Sequence, residues 1–171
     1  MEKIDQQLVT EVEETGSTLL RVLAAFSEQQ LNTVPFAGSW TGGQVAEHLV
    51  MSGGVARTIY GNVAPAGRQP DEKVGPIKGV FLDFTTKLQS PDFIVPSEGP
   101  HSKREVMDQL ADIWEGLGKA VDELDLTQEC QDFELPVMGK LTRLEWVWFY
   151  VAHTQRHIHQ LKNIFSRLKE G

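Results

Sequence analysis

Two histidines, His153 and His157, stand four positions apart in a segment whose apolar residues follow a helical period. Each residue of an α-helix turns by about 100°, so residues four apart differ by only about 40° around the axis. Two imidazoles stacked one turn apart can reach a single ion, which is how a helical His-x-x-x-His pair binds zinc. The same spacing also arises by chance in helices that bind nothing, so the pair alone leaves ligation open.

A third ligand has to come from another part of the chain, and His48 is the leading candidate. It lies in the apolar run Val45 to Val50, where an imidazole needs partners for its ring nitrogens. Those partners are either a metal ion or the ordinary hydrogen bonds of a buried structural histidine. Three protein ligands leave a position open for water or substrate, the arrangement of a catalytic zinc site and not of a closed structural one.

The other two histidines are set aside. His159 lies two residues beyond His157, about 200° around the helix axis, and therefore faces the opposite side. His101 precedes a predicted helix and is typical of a loop or pre-cap residue.

Three predicted helix starts carry a capping box, in which a Ser or Thr and a Glu or Gln three residues later satisfy free backbone donors. These pairs are Thr41 with Gln44, Ser102 with Glu105, and Thr142 with Glu145. Apolar periodicity then predicts four helices, over residues 2–32, 41–59, from 102 to at least 121, and 142–168. Gly16 lies inside the first helix, and Gly53 and Gly54 inside the second. Gly16 weakens the first helix locally by about 1 kcal/mol relative to Ala, whereas the glycines of the second helix either admit a neighbouring helix closely or simply lower its stability.

The 171 residues fit a single domain, 1–171, and the four amphipathic segments predict an all-α four-helix bundle with its sites built from inward-facing side chains. Residues 61–100 form a long connection between helices two and three that holds six of the eight prolines. We expect one short helix there, over about 77–84. The connection is either a lid over a site or a crossover that covers one end of the bundle. Residues 131–140 form an irregular or short extended link.

Charge and hydropathy exclude several classes of function. The net charge of −8 argues against nucleic acid, because phosphate binding needs clustered Lys and Arg. The longest apolar stretch, around 144–152, is far too short to span a membrane, and the first residues lack the layout of a signal peptide. The single cysteine, Cys130, cannot form an internal disulfide. We therefore expect a cytoplasmic protein without a membrane partner.

The stretch from Ser39 to Leu49 resembles the second helix of the DinB-like family, in which a Trp-Ser/Thr opening leads into a helix with a metal-binding histidine. Residues 139–160 resemble the family's last link and fourth helix, with Gly139-Lys140-Leu141-Thr142 followed by the histidine pair and Gln160. The order and spacing match along nearly the whole chain. The resemblance implies an up-down-down-up bundle, a metal site at His48, His153 and His157, and a homodimer.

Three imidazole ligands suit a divalent ion, with Zn, Ni or Fe expected. Members of the DinB-like superfamily include S-transferases and isomerases that use a low-molecular-weight thiol bound at the metal. The resemblance thus implies a thiol-dependent S-transferase acting on a small-molecule substrate. Two alternatives are a metal-dependent hydrolase and a non-catalytic metal-binding or interaction scaffold.

No general acid or base can be named from the sequence. Gln44 and Gln160 lie about one turn from a predicted ligand, so both are candidates to line the pocket. Arg156 either attracts an anionic substrate or only solvates its helix, and we favour the second interpretation. Glu47 and Glu145 are the nearby carboxylates, although Glu145 is already explained as a capping residue.

Overall fold

The structure is a computed structural model that describes residues 2–170, with the side chains of residues 6–169. Four long helices dominate it, joined by short helices and two short strands. The elements in chain order are α1 (Glu2–Ala25), α2 (Glu28–Leu31), α3 (Gly42–Ser52), α4 (Val55–Ile59), β1 (Val63–Pro65), α5 (Val74–Phe81), a 3₁₀ turn (Asp92–Ile94), α6 (Lys103–Glu123), β2 (Gln128–Cys130) and α7 (Arg143–Glu170).

Contacts at one end of the bundle give the directions of the four long helices. Phe26 follows α1 and packs against Gly42 at the start of α3. His101 precedes α6 and lies against Gly43, so α3 and α6 begin at the same end. The ring of Phe26 is also 5.1 Å from that of Phe165, near the end of α7. Helices α1 and α7 therefore end where α3 and α6 begin, which confirms the all-α bundle with its up-down-down-up order.

The core lies between these four helices and is almost entirely apolar. Each long helix contributes fully buried side chains, among them Leu23, Leu49, Leu110 and Tyr150. The Tyr150 hydroxyl donates to the backbone oxygen of Leu49 at 2.8 Å, which satisfies the one polar atom of a completely buried ring. This contact joins α3 to α7 next to His48 and His153.

Two capping boxes are present as predicted, and the third is half formed. Thr41 and Gln44 satisfy each other's backbone N–H groups, as do Thr142 and Glu145. Ser102 accepts from the Glu105 backbone N–H, but the Glu105 side chain does not complete the box. Helix starts follow local hydrogen-bonding rules, so these boundaries were predictable from sequence.

Two of the predicted helices are interrupted. The helix expected over 2–32 ends at Ala25, because Ser27 and Gln30 form a capping box of their own and start the short α2. The helix expected over 41–59 breaks at Gly53 and Gly54, which lie between α3 and α4. The short helix expected over about 77–84 is α5, displaced three residues toward the N-terminus.

The long connection packs against α7 instead of standing clear of the bundle. Helix α5 lies along α7, and β1 pairs antiparallel with β2, with Val63 opposite Cys130. These two short strands were not predicted, since each has only three residues. Within residues 2–170, no helix is both long enough and apolar enough to cross a membrane.

Candidate metal centre

The three predicted ligands come together. His48 projects from α3, and His153 and His157 project from successive turns of α7. The Nε2 atom of His153 lies 3.1 Å from Nε2 of His48 and 3.1 Å from Nε2 of His157. One nitrogen from each residue falls within 4.8 Å of the other two. For comparison, two nitrogens bound tetrahedrally to one zinc ion at about 2.0–2.1 Å are about 3.3 Å apart.

Hydrogen bonds fix the orientation of two of these rings. The Nδ1 of His48 lies 2.8 Å from the backbone oxygen of Ile94, in the 3₁₀ turn. The Nδ1 of His157 lies 2.7 Å from the side-chain oxygen of Gln160. Both partners are acceptors, so each Nδ1 carries the proton and each Nε2 presents its lone pair to the shared centre. Gln160 therefore contributes to the site through His157.

Aromatic packing holds the third ring. The His153 imidazole stacks on Phe149 at 5.4 Å and meets the edge of Phe81 at 5.7 Å. Its Nδ1 is buried and has no hydrogen-bond partner among the described residues. Trp40 approaches from the other side, 5.1 Å from the ring of His48. The histidines thus sit in an apolar shell that restricts their rotamers.

Burial keeps the three imidazoles neutral. It lowers the pKa of His48, takes the pKa of His153 well below its usual value, and brings that of His157 down to about 3. Mutual repulsion between the rings adds to the effect at His153 and His157. Neutral imidazole is the form that binds a metal ion. Three lone pairs within 4.8 Å of one another cannot all be satisfied by one shared proton, whereas one cation satisfies them together. The donor set fits a divalent ion.

The histidines open into a large cavity of about 1180 Å³. Its walls come from the segment before α3, the connection 80–94, the loop 133–138 and the inner face of α7. Most lining side chains are apolar or aromatic, including Trp40, Phe81, Phe93, Phe133 and Phe149. One side of the histidine cluster is therefore accessible to a molecule as large as a cofactor or substrate.

Arg156 holds the wall formed by the long connection. Its guanidinium group donates to the backbone oxygens of Phe81, Asp83 and Thr86, with 2.8 Å to Asp83. His159 adds to this, since its ring stacks on Phe84 with centroids 4.4 Å apart. His159 does not join the cluster of three histidines, as predicted, although it lines the same cavity. Arg156 therefore does more than solvate its helix, and since it also lines the cavity, attraction of an anionic substrate stays a prediction.

The carboxylates near the site have partners elsewhere. Glu47 accepts hydrogen bonds from Ser97 and is hydrogen-bonded to Nε2 of the buried His101. Gln44 caps α3 and donates to the backbone oxygen of Ser97, so it does not line the cavity. His101 lies before its helix as predicted, but its pairing with Glu47 was not predicted, since the two residues lie 54 positions apart.

Glu145 is fully buried and is more than a capping residue. Both of its oxygens accept from the Arg68 guanidinium, at 2.7 and 2.8 Å, and one also accepts from the backbone N–H of Lys73. Burial opposes ionisation, but these hydrogen bonds outweigh it and hold the pKa of Glu145 below its usual value. The carboxylate therefore fastens the connection after β1 to the start of α7.

Comparison with known proteins gives the family. A model of the DinB superfamily matches residues 11–161. The chain belongs to this superfamily. It is 25% identical to the uncharacterized protein YuaE of Bacillus subtilis strain 168 over 153 residues, covering 87% of this chain and 91% of YuaE.

Two solved structures share the fold. One is YfiT from Bacillus subtilis, described as a probable metal-dependent hydrolase with an unusual four-helix bundle topology. It superimposes with a TM-score of 0.62 at 16% identity, over 96% of this chain and 87% of YfiT. The other, assigned to the DinB family, comes from Exiguobacterium sibiricum 255-15. Its TM-score is 0.58 at 16% identity, over 97% of this chain and 92% of that one. Both likenesses show the fold alone.

Proposed function

We propose that the protein is a metal-dependent enzyme that transfers a low-molecular-weight thiol to a small electrophilic molecule. One observation carries the proposal: three neutral imidazoles point their Nε2 atoms at one centre, and that centre opens into a cavity of about 1180 Å³. Three protein ligands leave room for an exogenous ligand, as catalytic sites require. A divalent ion held there would lower the pKa of a bound water toward neutrality and would favour the thiolate form of a bound thiol.

The residues of the chain have separate parts in this proposal. His48, His153 and His157 hold the ion, while the Ile94 carbonyl and Gln160 fix two of the rings. The aromatic walls exclude water from the nucleophile, which strengthens electrostatic interactions inside the cavity. The thiol sulfur forms a bond to an electrophilic carbon, and the leaving group departs with the bonding electron pair. The thiol proton is released to solvent, so no redox partner is needed.

The protein cannot supply this thiol from its own described side chains. Cys130 is its single cysteine, and burial raises the pKa of that thiol to about 11. A thiol with so high a pKa is a poor nucleophile at neutral pH, because the thiolate is the reactive form. The thiol therefore has to come from a small molecule that enters the cavity.

The lining of the cavity favours thiol transfer over hydrolysis. Hydrolytic metal sites commonly use a carboxylate that moves protons to and from water and leaving group. Among the described residues that line this cavity there is no Asp or Glu. Glu47 and Glu145 are nearby in the sequence, but His101 and Arg68 occupy them. Attack by a thiolate needs no such base.

Hydrolysis is the second candidate function, and the description of YfiT as a probable metal-dependent hydrolase favours it. An open position that binds a thiol also binds water, so the same histidines serve either reaction. A metal-binding scaffold without turnover is the third candidate. The homodimer and the cytoplasmic location also remain proposals.

The test begins with metal content and thermal stability. Purified protein is loaded with Zn²⁺, Ni²⁺ or Fe²⁺, and its melting temperature is measured with and without a panel of low-molecular-weight thiols. We expect a thiol to raise the melting temperature of the metal-loaded protein only, and to support its conjugation to a chromogenic electrophile. His159→Ala is the control for metal content, since this exposed histidine lies on the same helix but is not one of the three clustered histidines.

Each outcome points to a different conclusion. Substoichiometric metal that does not change in His153→Ala overturns every metal-based function. Stoichiometric metal with ester hydrolysis in the absence of thiol supports the hydrolase instead. Stoichiometric metal with neither reaction, across the panel of thiols and esters, supports the scaffold.

A further inference from the structure

The cavity above the histidines concentrates the aromatic surface of the protein. Six of its eight phenylalanines line the cavity, counted among the described residues. Several of them are exposed and do not fill the core, with Phe93 at 63%, Phe84 at 44% and Phe133 at 43%. Large exposed apolar areas are rare on soluble proteins and mark places where another molecule binds.

The charged side chains that line the cavity, among the described residues, are all cationic. The chain has a net charge of −8, yet the described lining residues include no carboxylate. Two cationic side chains do line it, Lys87 and Arg156. Arg156 is occupied by three backbone oxygens. Lys87 is exposed on the loop that forms one wall, and it is available to a ligand.

The volume of the cavity exceeds what a small thiol needs. Pockets of about 300–1,000 Å³ enclose drug-sized ligands, and this cavity of about 1180 Å³ lies just above that range. It therefore has room for a thiol near the histidines and for a second molecule between the aromatic walls. That second molecule would contact Phe93 and Phe133, whose rings meet edge to face at 6.1 Å.

We propose that the small electrophilic substrate is an apolar molecule, of about two aromatic rings or an equivalent alkyl chain, with a neutral or anionic end near Lys87. This inference rests on the proposed function, because it names the substrate class of the same site. Aromatic side chains bind flat or extended apolar groups, and they supply this contact with little loss of side-chain freedom. A cationic end would meet Lys87 and find no carboxylate to pair with.

A second copy of the chain is the competing occupant of this surface. The exposed aromatic residues line a concave cavity that leads to the His48 ring. A flat patch of the same composition would favour self-association, whereas a cavity that ends at polar nitrogens favours a small ligand. The two occupants are separated by the experiment.

The experiment is a fluorescence titration of the metal-loaded protein. The probe is 1-anilinonaphthalene-8-sulfonate, which is aromatic and anionic, and a cationic aromatic dye of similar size is the comparison. The variants are Phe93→Ser and Lys87→Glu. Tyr60→Ser is the matched control for the first, because Tyr60 is 52% exposed and lies outside the cavity. Lys119→Glu is the control for the second, on α6, which lines no part of it.

We expect saturable binding of one anionic dye per chain, at least fivefold weaker in Phe93→Ser and in Lys87→Glu. Both controls should bind like the wild type, and the cationic dye should bind at least fivefold more weakly. The effect of Lys87→Glu should shrink in 1 M salt, since exposed charges are screened there. Cooperative melting of every variant excludes dye binding to a partly unfolded state.

Several results would overturn the inference. Dye binding that is absent, or equal in all variants, shows that the aromatic cavity is not the site. Concentration-dependent dimerisation that Phe93→Ser abolishes, without dye binding, assigns the surface to a second copy. Failure of the proposed function is distinguishable. Dye binding without any turnover contradicts the proposed enzymatic function but not the apolar site. Turnover of small polar electrophiles without dye binding supports the enzymatic function and contradicts the apolar site.

Discussion

The Nε2 atoms of His48 and His153 lie 3.1 Å apart, although the residues are 105 positions apart in the chain. Helices α3 and α7 bring them together, and the hydrogen bond from Tyr150 to the backbone of Leu49 joins the same two helices. A metal ion bound between α3 and α7 therefore links the two helices across the core. Metal affinity and global stability should be coupled in this protein.

Metal removal is accordingly expected to lower the melting temperature. An ion present at about 100 times its Kd stabilises the folded state by about 2.7 kcal/mol if the unfolded chain does not bind it. Chelation of the loaded protein should therefore shift the unfolding midpoint, and His153→Ala should abolish the shift. The measurement is thermal unfolding with and without chelator, with His159→Ala as control. An unchanged midpoint in the wild type would contradict the coupling.

Gln160 is expected to tune metal affinity without touching the ion. Its side-chain oxygen accepts from Nδ1 of His157 and so keeps Nε2 free for ligation. Loss of such an outer partner typically costs about 10–100-fold in metal affinity. Gln160→Ala should show a loss of that size in competition titrations, and Gln160→Glu should restore most of it. Gln155→Ala is the control on the same helix, since Gln155 contacts Glu11 and Thr15 on α1. Equal losses in both alanine variants would count against the role of Gln160.

The parts of this site that the sequence predicts depend on residues close together in the chain. The parts that it does not predict depend on residues far apart in the chain. The histidine pair of α7 and the capping box of Thr142 rest on residues three or four apart, so helix geometry decides them. Pairing His48 with them requires knowing which helices are neighbours, and spacing alone could not supply that. The family resemblance supplied it.

Other features depend on contacts that no local rule describes. Glu145 was interpreted as a capping residue, which is correct but incomplete, since Arg68 reaches it from 77 positions away. The break between Ala25 and Glu28 was missed because the apolar period continues through it, whereas Ser27 caps a new helix. A continuous helix and a break were both plausible there, and the capping hydrogen bonds of Ser27 stabilise the break.

The buried pair of Glu145 and Arg68 should make stability depend on pH. Burial raises the pKa of Glu145, but its hydrogen bonds lower this pKa by a larger amount. The folded-state pKa therefore lies below the unfolded value. The stabilisation of the folded state by ionised Glu145 is therefore complete above the unfolded pKa of about 4.3. It is lost as the pH falls through the folded-state pKa. Removing one partner of a buried pair costs about 3–5 kcal/mol, which partial exposure of Arg68 reduces to about 2–3 kcal/mol.

Glu145→Gln tests this dependence by urea unfolding at pH 7 and at pH 3. At pH 7 the variant should be less stable than the wild type by the amount given above, and the difference should shrink at pH 3. Glu115→Gln is the control, because Glu115 pairs with Lys119 on the exposed face of α6. It should leave the unfolding midpoint unchanged at pH 7. A difference for Glu145→Gln that is the same at both pH values would show that ionisation is not its cause.

Val137 is expected to store backbone strain at the mouth of the cavity. Its φ is 72°, in the left-handed region that β-branched residues avoid, and its side chain is fully exposed. The conformation costs roughly 1–2 kcal/mol for an L-residue and less for Asn. Val137→Asn should therefore raise the free energy of unfolding by about 1 kcal/mol. Val34→Asn is the control, an exposed valine outside the left-handed region. A gain in both variants, or in neither, would exclude strain at Val137.

Two helical glycines should respond oppositely to alanine. A Cβ at Gly16 of α1 would lie 2.9 Å from the Trp114 ring of α6, so the absent side chain is what lets the two helices approach. A Cβ at Gly116 meets nothing within 4 Å. Gly116→Ala should stabilise the protein by about 0.5–1 kcal/mol through helix propensity. Gly16→Ala gains the same propensity but adds overpacking of about 1–3 kcal/mol, so it should destabilise. Urea unfolding of both variants measures this contrast, and stabilisation of similar size in both would show that α1 and α6 are not in close contact at Gly16.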